Sequence, residues 1–309
     1  MTDRYQPQPL GPRLSAFKVA LFLLLPNNLV WSWLLSKSQR LDLLEANKAC
    51  NDERPDYRPI AYQNGNSFES SAARNNHVDG KWVLRFLETF NPRSVLECGP
   101  GSGFHTRMIV EHPSVQNYAG IDVNHSFIDY LEDKLSSLPV DTLAKYQLFL
   151  GDVKEIEIEP VDAVIFSASL HHMPDRTEIF ATLLKIVKPG GNIFCVEPTH
   201  YFPRFLHVLR KVCLPGYLRD KVDGKTPLTT HHFCTWLEFK DVESFFDGKL
   251  RIIDVDYDGY RGALIPRIIA KLARMIGLGW PAWLRTSFPI RLFSKRMSIV
   301  FSHVRPMTE

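Results

Sequence analysis

The stretch from Ser94 to Gly103 constrains the fold of this chain more than any other feature. It reads Ser-Val-Leu-Glu-Cys-Gly-Pro-Gly-Ser-Gly, so a short apolar strand reaches the carboxylate Glu97 and three glycines follow at alternating positions. Glycine has no Cβ, and the backbone at these positions can therefore turn sharply and lie close to a ligand. The spacing G-x-G-x-G differs from the G-x-G-x-x-G of dinucleotide sites. Alone, it predicts either a ligand-binding loop or a tight strand-to-helix turn.

Four further apolar segments follow the glycine motif and predict buried strands. The second strand ends in Asp122, which lies 19 residues after Gly103, close to the spacing at which an acid binds ribose hydroxyls in nucleotide folds. The third strand ends in Gly-Asp, the fourth continues into Ala-Ser-Leu-His-His-Met-Pro, and the fifth follows a Lys-Pro-Gly-Gly turn. Helix-length segments with apolar positions about 3.6 residues apart lie between them. The predicted strand ranges are 118–122, 146–152, 161–167 and 192–197.

This series of motifs resembles the class I S-adenosylmethionine-dependent methyltransferases. The resemblance covers residues 80–257 and a last strand near 297–304, with the motifs in matching order and spacing. It implies an α/β fold: a Rossmann-like, seven-stranded, mostly parallel sheet with helices on both faces. Residues 250–257 would form the sixth parallel strand and residues 297–303 the final antiparallel one. The implied cofactor is S-adenosyl-L-methionine.

The resemblance also implies how the cofactor is held. The glycine backbone would cradle the methionine portion, Glu97 would orient the ammonium group, and Asp122 would accept hydrogen bonds from the ribose hydroxyls. Asp152 would contact the adenine amino group, with Val153 beside the ring. A cofactor without phosphates needs carboxylates for an ammonium and a diol; for each acid, a solvated strand-end carboxylate is the alternative. The predicted cofactor-binding residues are Glu97, Gly99, Gly101, Gly103, Asp122, Val123, Asp152, Val153 and Ser167.

Three histidines are the candidate catalytic residues: His171 and His172 after the fourth strand, and His231 in a later loop. Methyl transfer from a sulfonium depends on alignment and exclusion of water, and it needs a base only when the acceptor starts protonated. A neutral imidazole titrates in the right range for that role. In the family the His-His-Met-Pro segment accompanies many substrates, so a structural or cofactor-lining role is the alternative. The five scattered cysteines form no C-x-x-C pair, and no metal site is expected.

Charge is distributed unevenly towards the end of the sequence. Between Gly259 and Thr308 there are nine Lys or Arg residues and no Asp or Glu. Within this run, residues 263–276 predict an amphipathic helix whose polar side carries basic residues. A basic amphipathic helix with tryptophans nearby favours contact with a membrane interface. A basic lid, or an oligomer contact, is the alternative.

The segment 16–35 is apolar but interrupted. Lys18, Pro26, Asn27 and Asn28 break a run that would need about 20 apolar residues to span a bilayer. Two short apolar helices bent at the proline, with Trp31 and Trp33 near the headgroups, would form a shallow interfacial element. A helical substrate lid, or a transmembrane or signal helix, is the alternative.

The predicted organisation is an N-terminal apolar helical extension, 1–75, followed by a catalytic domain, 76–309, with a substrate-side segment 198–247 and a basic insert 258–296. A net charge of +3 implies no global field for nucleic acid, and no nucleic-acid partner is expected. The thiol pattern favours the cytoplasm, with peripheral contact on the inner face of a membrane through 16–35 and 258–296.

These features predict a methyltransferase that uses S-adenosylmethionine and acts on a hydrophobic or lipid-linked small-molecule acceptor at a membrane surface. A soluble small-molecule O-, N- or C-methyltransferase with a helical lid is the first alternative. A non-catalytic S-adenosylmethionine-binding protein is the second, and the presence of Glu97, Asp122, Asp152 and all three glycines argues against it.

Overall fold

The chain divides into two compact units in a computed structural model. One comprises residues 1–53 and 200–236, and the other comprises 54–199 and 237–309. The predicted division at residue 75 stays a prediction. In the described part of the chain, every helix is too short or too polar to cross a membrane. The structure describes residues 14–24, 35–36, 38–39, 78–139, 145–170, 173, 176–198, 209, 213, 215–222, 248–258 and 296–304.

The helices and strands are numbered along the described residues. The helices are α1 Ala16–Leu24, α2 Val78–Phe90, α3 Thr106–Val110, α4 His125–Ser136, α5 Arg176–Ile186 and α6 Pro215–Val222. The strands are β1 Ser94–Cys98, β2 Asn117–Asp122, β3 Lys145–Leu150, β4 Val161–Ser167, β5 Val187–Pro198, β6 Leu250–Asp258 and β7 Arg296–His303.

The first unit contributes two described helices, α1 and α6, which contact each other. In α1, Val19 is buried whereas the Phe17 side chain is 70% exposed. The predicted N-terminal helical extension is therefore helical over Ala16–Leu24, within the range expected from its apolar composition.

The second unit is built on a seven-stranded sheet with the order β3-β2-β1-β4-β5-β7-β6. Strands β1 to β5 are parallel, and β7 runs antiparallel to both of its neighbours, β5 and β6. Since β6 is also antiparallel to β7, it points the same way as β1 to β5. The predicted Rossmann-like, mostly parallel sheet with one reversed final strand is confirmed.

Apolar residues alternate along the strands and form one core on each face of the sheet. In β1, Val95 belongs to the core that α2, α3 and α4 cover, whereas Leu96 belongs to the core that α5 covers. On the first face, Phe86 of α2 stacks on Phe194 of β5 with ring centroids 4.5 Å apart. Helices on both faces are thus confirmed for the described residues, and this sandwich fixes the strand ends on which the site is built.

The fifth strand begins earlier than its sequence indicates. It was expected to begin at Asn192, after the Lys-Pro-Gly-Gly turn, but it is already paired at Val187. Val187 pairs with Val161 and Asn192 pairs with Ala163, so the turn is an irregularity inside the strand. Proline and glycine usually interrupt the hydrogen bonding between strands, and the sequence therefore does not indicate that the strand has already begun before them. The predicted helix 263–276 lies outside the described residues.

Candidate cofactor-binding site

The carboxyl ends of four neighbouring strands lie side by side in the sheet. In the order β3, β2, β1, β4, these ends carry Asp152, Asp122, the glycine turn and Ser167. The chain order reverses between β1 and β4, which is the point where open α/β sheets bind ligands. The fold therefore gathers the predicted cofactor-binding residues at one edge, although Ser167 follows Glu97 by 70 residues in the sequence.

The glycine turn has the backbone conformation that its sequence predicts. Gly99, Gly101 and Gly103 have φ values of 71°, 55° and 72°, in the left-handed region that side chains with a Cβ rarely adopt. A Cβ on Gly99 would lie 2.7 Å from the Cβ of Ser169, so this glycine allows the turn to pack against the loop after β4. At Gly101 a Cβ would meet no atom within 4 Å. This side of the turn is therefore open to a ligand.

Asp122 connects the glycine turn to the end of β2. Its Oδ2 accepts a hydrogen bond from the amide of Gly101 at 3.1 Å, and its Oδ1 accepts one from the amide of Asn124 at 2.9 Å. Burial raises the pKa of Asp122 to about 6, although these backbone hydrogen bonds act in the opposite direction. Asp122 thus fixes the shape of the turn as well as placing a carboxylate at the strand end.

Glu97 is almost completely buried, with 2% of its surface exposed. The hydroxyls of Thr106 and Tyr118 donate hydrogen bonds to its Oε2 at 2.7 and 2.8 Å. Burial raises the pKa of Glu97 to about 7; the nearby charge of Asp122 adds to this rise, while the two hydroxyls oppose it. No described residue forms an ion pair with Glu97.

These two acids make the site suitable for a cationic ligand that carries a diol. A buried carboxyl without a basic partner favours binding of a positive group, because that group replaces the missing counter-charge. The open face at Gly101 lets the backbone approach such a ligand closely. The residues present therefore fit a sulfonium and ammonium compound with ribose hydroxyls.

Asp152 and Val153 differ from each other in exposure. The Asp152 side chain is 41% exposed, and its Oδ1 accepts a hydrogen bond from the amide of Lys154 at 2.9 Å, capping a short 3-10 helix at Val153–Glu155. Lys154 Nζ also lies 3.6 Å from Asp152 Oδ2. Val153 is buried among the core residues on the α5 face. Asp152 can reach a ligand, whereas Val153 chiefly supports the position of the preceding acid.

The loop after β4 contains contacts that the sequence did not indicate. Ser167 Oγ and His105 Nδ1 are 2.8 Å apart, so the end of β4 is bonded to the residue that precedes α3. Ser169 Oγ donates to the carbonyl of Cys98 at 2.6 Å. Glu197 Oε1 accepts from the amides of Ser169 and Leu170 at 3.2 and 2.9 Å. These side chains hold the β4 loop beside the glycine turn.

The structure brings the predicted cofactor-binding residues together, including half-buried Val123, which follows Asp122 directly. The sequence did not predict three residues whose side chains contact the site, His105, Thr106 and Tyr118. Each lies in a segment whose sequence indicated only a turn, a helix or a buried strand. The predicted catalytic residues His171, His172 and His231 lie outside the described residues, and their role stays a prediction. Within the described ranges, no group of three or more His, Cys, Asp or Glu residues is placed to hold a metal ion.

Comparison with known proteins agrees with this geometry. Residues 96–193 match the model of a methyltransferase domain. An uncharacterized methyltransferase of Schizosaccharomyces pombe is 30% identical over 112 residues, which cover 34% of this chain and 38% of that protein. The chain thus spans little more than a third of this relative.

Two further proteins resemble the chain over longer stretches. A ubiquinone biosynthesis O-methyltransferase of Coxiella burnetii is 20% identical over 183 residues, covering 58% of this chain and 74% of that protein. The solved structure of an N-methyltransferase of Bradyrhizobium japonicum WM9 is also similar. The alignment covers 75% of this chain and 99% of that chain, with 11% identity and a TM-score of 0.46.

The matched segment runs from β1 into β5 and therefore contains the whole edge on which the glycine turn, Asp122, Asp152 and Ser167 lie. The strand order and the chemistry of this edge agree with the domain match, and residues 96–193 form a methyltransferase domain on a sheet of the class I methyltransferase type.

Proposed function

We propose that this protein is a methyltransferase that binds S-adenosylmethionine at the carboxyl edge of β1 to β4. The observation that carries the proposal is a pair of acids, the buried Glu97 and the half-buried Asp122, on either side of a glycine turn with an open face at Gly101. When bound, the cofactor supplies an electrophilic methyl group on a sulfonium.

In this proposal each part of the edge has one role. The backbone at Gly99, Gly101 and Gly103 lies against the methionine portion, and Glu97 binds the amino group. Asp122 accepts hydrogen bonds from the ribose hydroxyls while its amide contacts keep the turn in shape. The half-exposed Asp152 accepts from the adenine amino group. Val123 and Ser167 complete the walls of the site, and the buried Val153 holds Asp152 in place.

Calorimetric titration with S-adenosylmethionine tests this proposal. Asp122→Ala removes a carboxylate that accepts from a diol, and we expect it to weaken binding by about 1.5–3 kcal/mol, the range for hydrogen bonds to a charged group. Asp129→Ala is the matched control, since Asp129 is an exposed acid on α4 whose partner is His125. Absence of binding to the unaltered protein, or equal affinity in the two variants, would refute the proposal.

We further propose that the acceptor is hydrophobic or lipid-linked and that the protein meets it at a membrane surface. Three observations support this class of acceptor. The run 259–308 is basic and free of acids, α1 is apolar with Phe17 exposed, and a similar relative is named for ubiquinone biosynthesis. One of the histidines His171, His172 and His231 would act as base if the acceptor starts protonated.

Transfer of a labelled methyl group distinguishes this class from the alternatives. The protein and labelled S-adenosylmethionine are incubated with a lipid extract and, separately, with an aqueous metabolite extract. Label in the lipid fraction is the expected result. Label only in aqueous metabolites would indicate a soluble small-molecule methyltransferase, and cofactor binding without transfer to either extract would indicate a binding protein.

A further inference from the structure

The Glu97 carboxyl is held from one side only. Thr106 on α3 and Tyr118 on β2 both donate to the same oxygen, Oε2, at 2.7 and 2.8 Å. The other oxygen, Oε1, accepts no hydrogen bond from any described residue. Two donors therefore orient the carboxyl, and one of its oxygens is left to accept from an incoming group.

A glycine on the neighbouring strand makes this arrangement possible. Gly120 of β2 is the register partner of Glu97 of β1. A Cβ on Gly120 would lie 2.8 Å from the Tyr118 hydroxyl, closer than side chains tolerate. The missing side chain therefore lets the Tyr118 ring extend along its own strand, and its hydroxyl reaches across to Glu97.

The groups around Glu97 make its ionisation sensitive to these two donors. Among the described residues, the titratable groups that interact with it are Asp122 and Tyr118 on β2 and Cys98 on β1, none of them a cation. Burial penalises the carboxylate, and the described groups that favour it are the hydroxyls of Thr106 and Tyr118. Removing either donor therefore makes the charged form less favourable.

We propose that binding of the cofactor's amino group at Oε1 requires release of a proton from Glu97, and that Thr106 and Tyr118 are positioning residues that favour this release. The inference rests on the proposed function, because it assigns the amino group of the same ligand to Oε1. It goes beyond that function by assigning two residues outside the glycine motif and a proton that leaves when the ligand binds.

The proposal has a defined dependence on pH. The pKa of Glu97 in the free protein is about 7, so below that pH the carboxyl is neutral and must lose its proton before it pairs with an ammonium group. The affinity for the amino group should then fall about tenfold for each pH unit below the pKa, as expected for one linked proton. Asp122 also titrates, with a pKa of about 6. The affinity of any ligand with a ribose diol therefore depends on the ionisation of Asp122 as well.

Two neutral thioether ligands separate these effects. S-adenosylhomocysteine carries the amino acid portion, whereas 5′-methylthioadenosine has the same adenosine and thioether but lacks it. Dissociation constants for both are measured by calorimetry at roughly pH 5.5 to 7.5, where the ligand's amino group stays protonated. The ratio of the two constants cancels the contribution of Asp122 and isolates that of Glu97.

We expect this ratio to change about tenfold per pH unit below pH 7 in the unaltered protein and to be flat in Glu97→Gln. Tyr118→Phe should reduce the preference for S-adenosylhomocysteine about tenfold at pH 7 and shift its pH dependence upward, because a donor to the charged form is lost. Thr106→Val should act similarly, and Thr106→Ser should restore the hydroxyl and the unaltered profile. Affinity for 5′-methylthioadenosine should be unchanged in all of them.

Tyr146→Phe is the matched control. Tyr146 of β3 is the register partner of Tyr118, and its hydroxyl donates to the Glu132 side chain at 3.1 Å, at the surface. A ratio that does not vary with pH in the unaltered protein, or the same profile in Tyr118→Phe and Tyr146→Phe, would overturn the inference. If neither ligand binds, the proposed function itself fails and this inference falls with it.

Discussion

At the scale of single residues, Glu97 shows how one acid can serve binding at the expense of stability. Its carboxyl is buried and receives two hydrogen bonds, yet no described cation lies beside it. The glycine motif singled out this acid, and its role towards the cofactor's amino group, implied by the family resemblance, stays a prediction. Its hydroxyl donors could not be predicted, because they are contributed by a helix and a neighbouring strand that only the folded sheet brings together.

Replacing Glu97 with Gln should change how stability depends on pH. Folding raises the pKa of Glu97 from 4.5 to about 7, so between these values the folded protein holds a proton that the unfolded chain releases. The free energy of unfolding should therefore fall as pH rises through this window. Glu97→Gln should remove this loss. As pH rises from 5 to 8, the free energy of unfolding of the variant should therefore increase relative to that of the unaltered protein, by up to about 3 kcal/mol.

Urea unfolding at the two pH values measures this difference. Asp129→Asn is a suitable control, because Asp129 is exposed and should leave the slope unchanged. Equal pH slopes for Glu97→Gln and the unaltered protein would show that Glu97 is ionised alike in the folded and unfolded states.

At the scale of elements, the site depends on how the loop after β4 is joined to β5. Glu197, at the end of β5, is 1% exposed and accepts from two consecutive amides of that loop through one oxygen. It completes the backbone hydrogen bonding of a turn that contains Ala168 at φ 54°.

Glu197→Ala should destabilise this junction. The substitution leaves the amides of Ser169 and Leu170 without an acceptor in a buried position, which costs roughly 2–4 kcal/mol for the pair. Glu197→Gln keeps a carbonyl oxygen in place and should lose clearly less. Thermal and urea unfolding of both variants measure the difference, and equal losses would mean that the charge of Glu197, rather than its acceptor role, stabilises the loop.

Most strand ranges were predictable because apolar runs and strand-end acids are local signals. The predicted segment 161–167 coincides with β4, and the predicted 118–122 and 297–303 each begin one residue late. The start of β5 was not predictable, because its pairing at Val187 depends on β4 across an irregular turn. Contacts such as Ser167 with His105 depend in the same way on elements that are distant in sequence.

At the scale of the whole molecule, the two parts of the proposed function, cofactor binding and membrane contact, rest on different parts of the sequence. The cofactor edge occupies residues 97 to 170, whereas the basic, acid-free run lies beyond residue 258. The sequence predicted the fold from the first part and membrane contact from residues 258–296 together with residues 16–35. Only the first part is tested by the described residues, because the predicted helix 263–276 lies outside them.

Charge reversal tests the membrane proposal. Each Lys or Arg near an anionic bilayer contributes about 1 kcal/mol, so changing Arg267, Lys271 and Arg274 to Glu should weaken binding to anionic vesicles by several decades at low salt. Affinity for S-adenosylmethionine should stay the same. Co-sedimentation with vesicles that contain phosphatidylserine measures the first effect, and calorimetry measures the second.

A second triple variant supplies the control for net charge. Lys145, Lys249 and Arg251 are exposed at the amino ends of β3 and β6, and reversing them to Glu alters the total charge equally. Vesicle binding that is absent in the unaltered protein, or weakened equally by both triple variants, would rule out specific docking through the basic run.

The reversed strand β7 has a consequence for how the protein is made. It lies between β5 and β6 and is the only described strand that pairs with β6, yet Arg296 follows Pro198 by 98 residues. During synthesis, the ribosome produces the cofactor-binding edge well before the strand that closes the sheet. The nascent chain therefore carries an open edge on β5 until β7 emerges, and open edges are templates for pairing with other chains. A ribosome that stalls before residue 296 would leave the binding edge built on a sheet that cannot be completed.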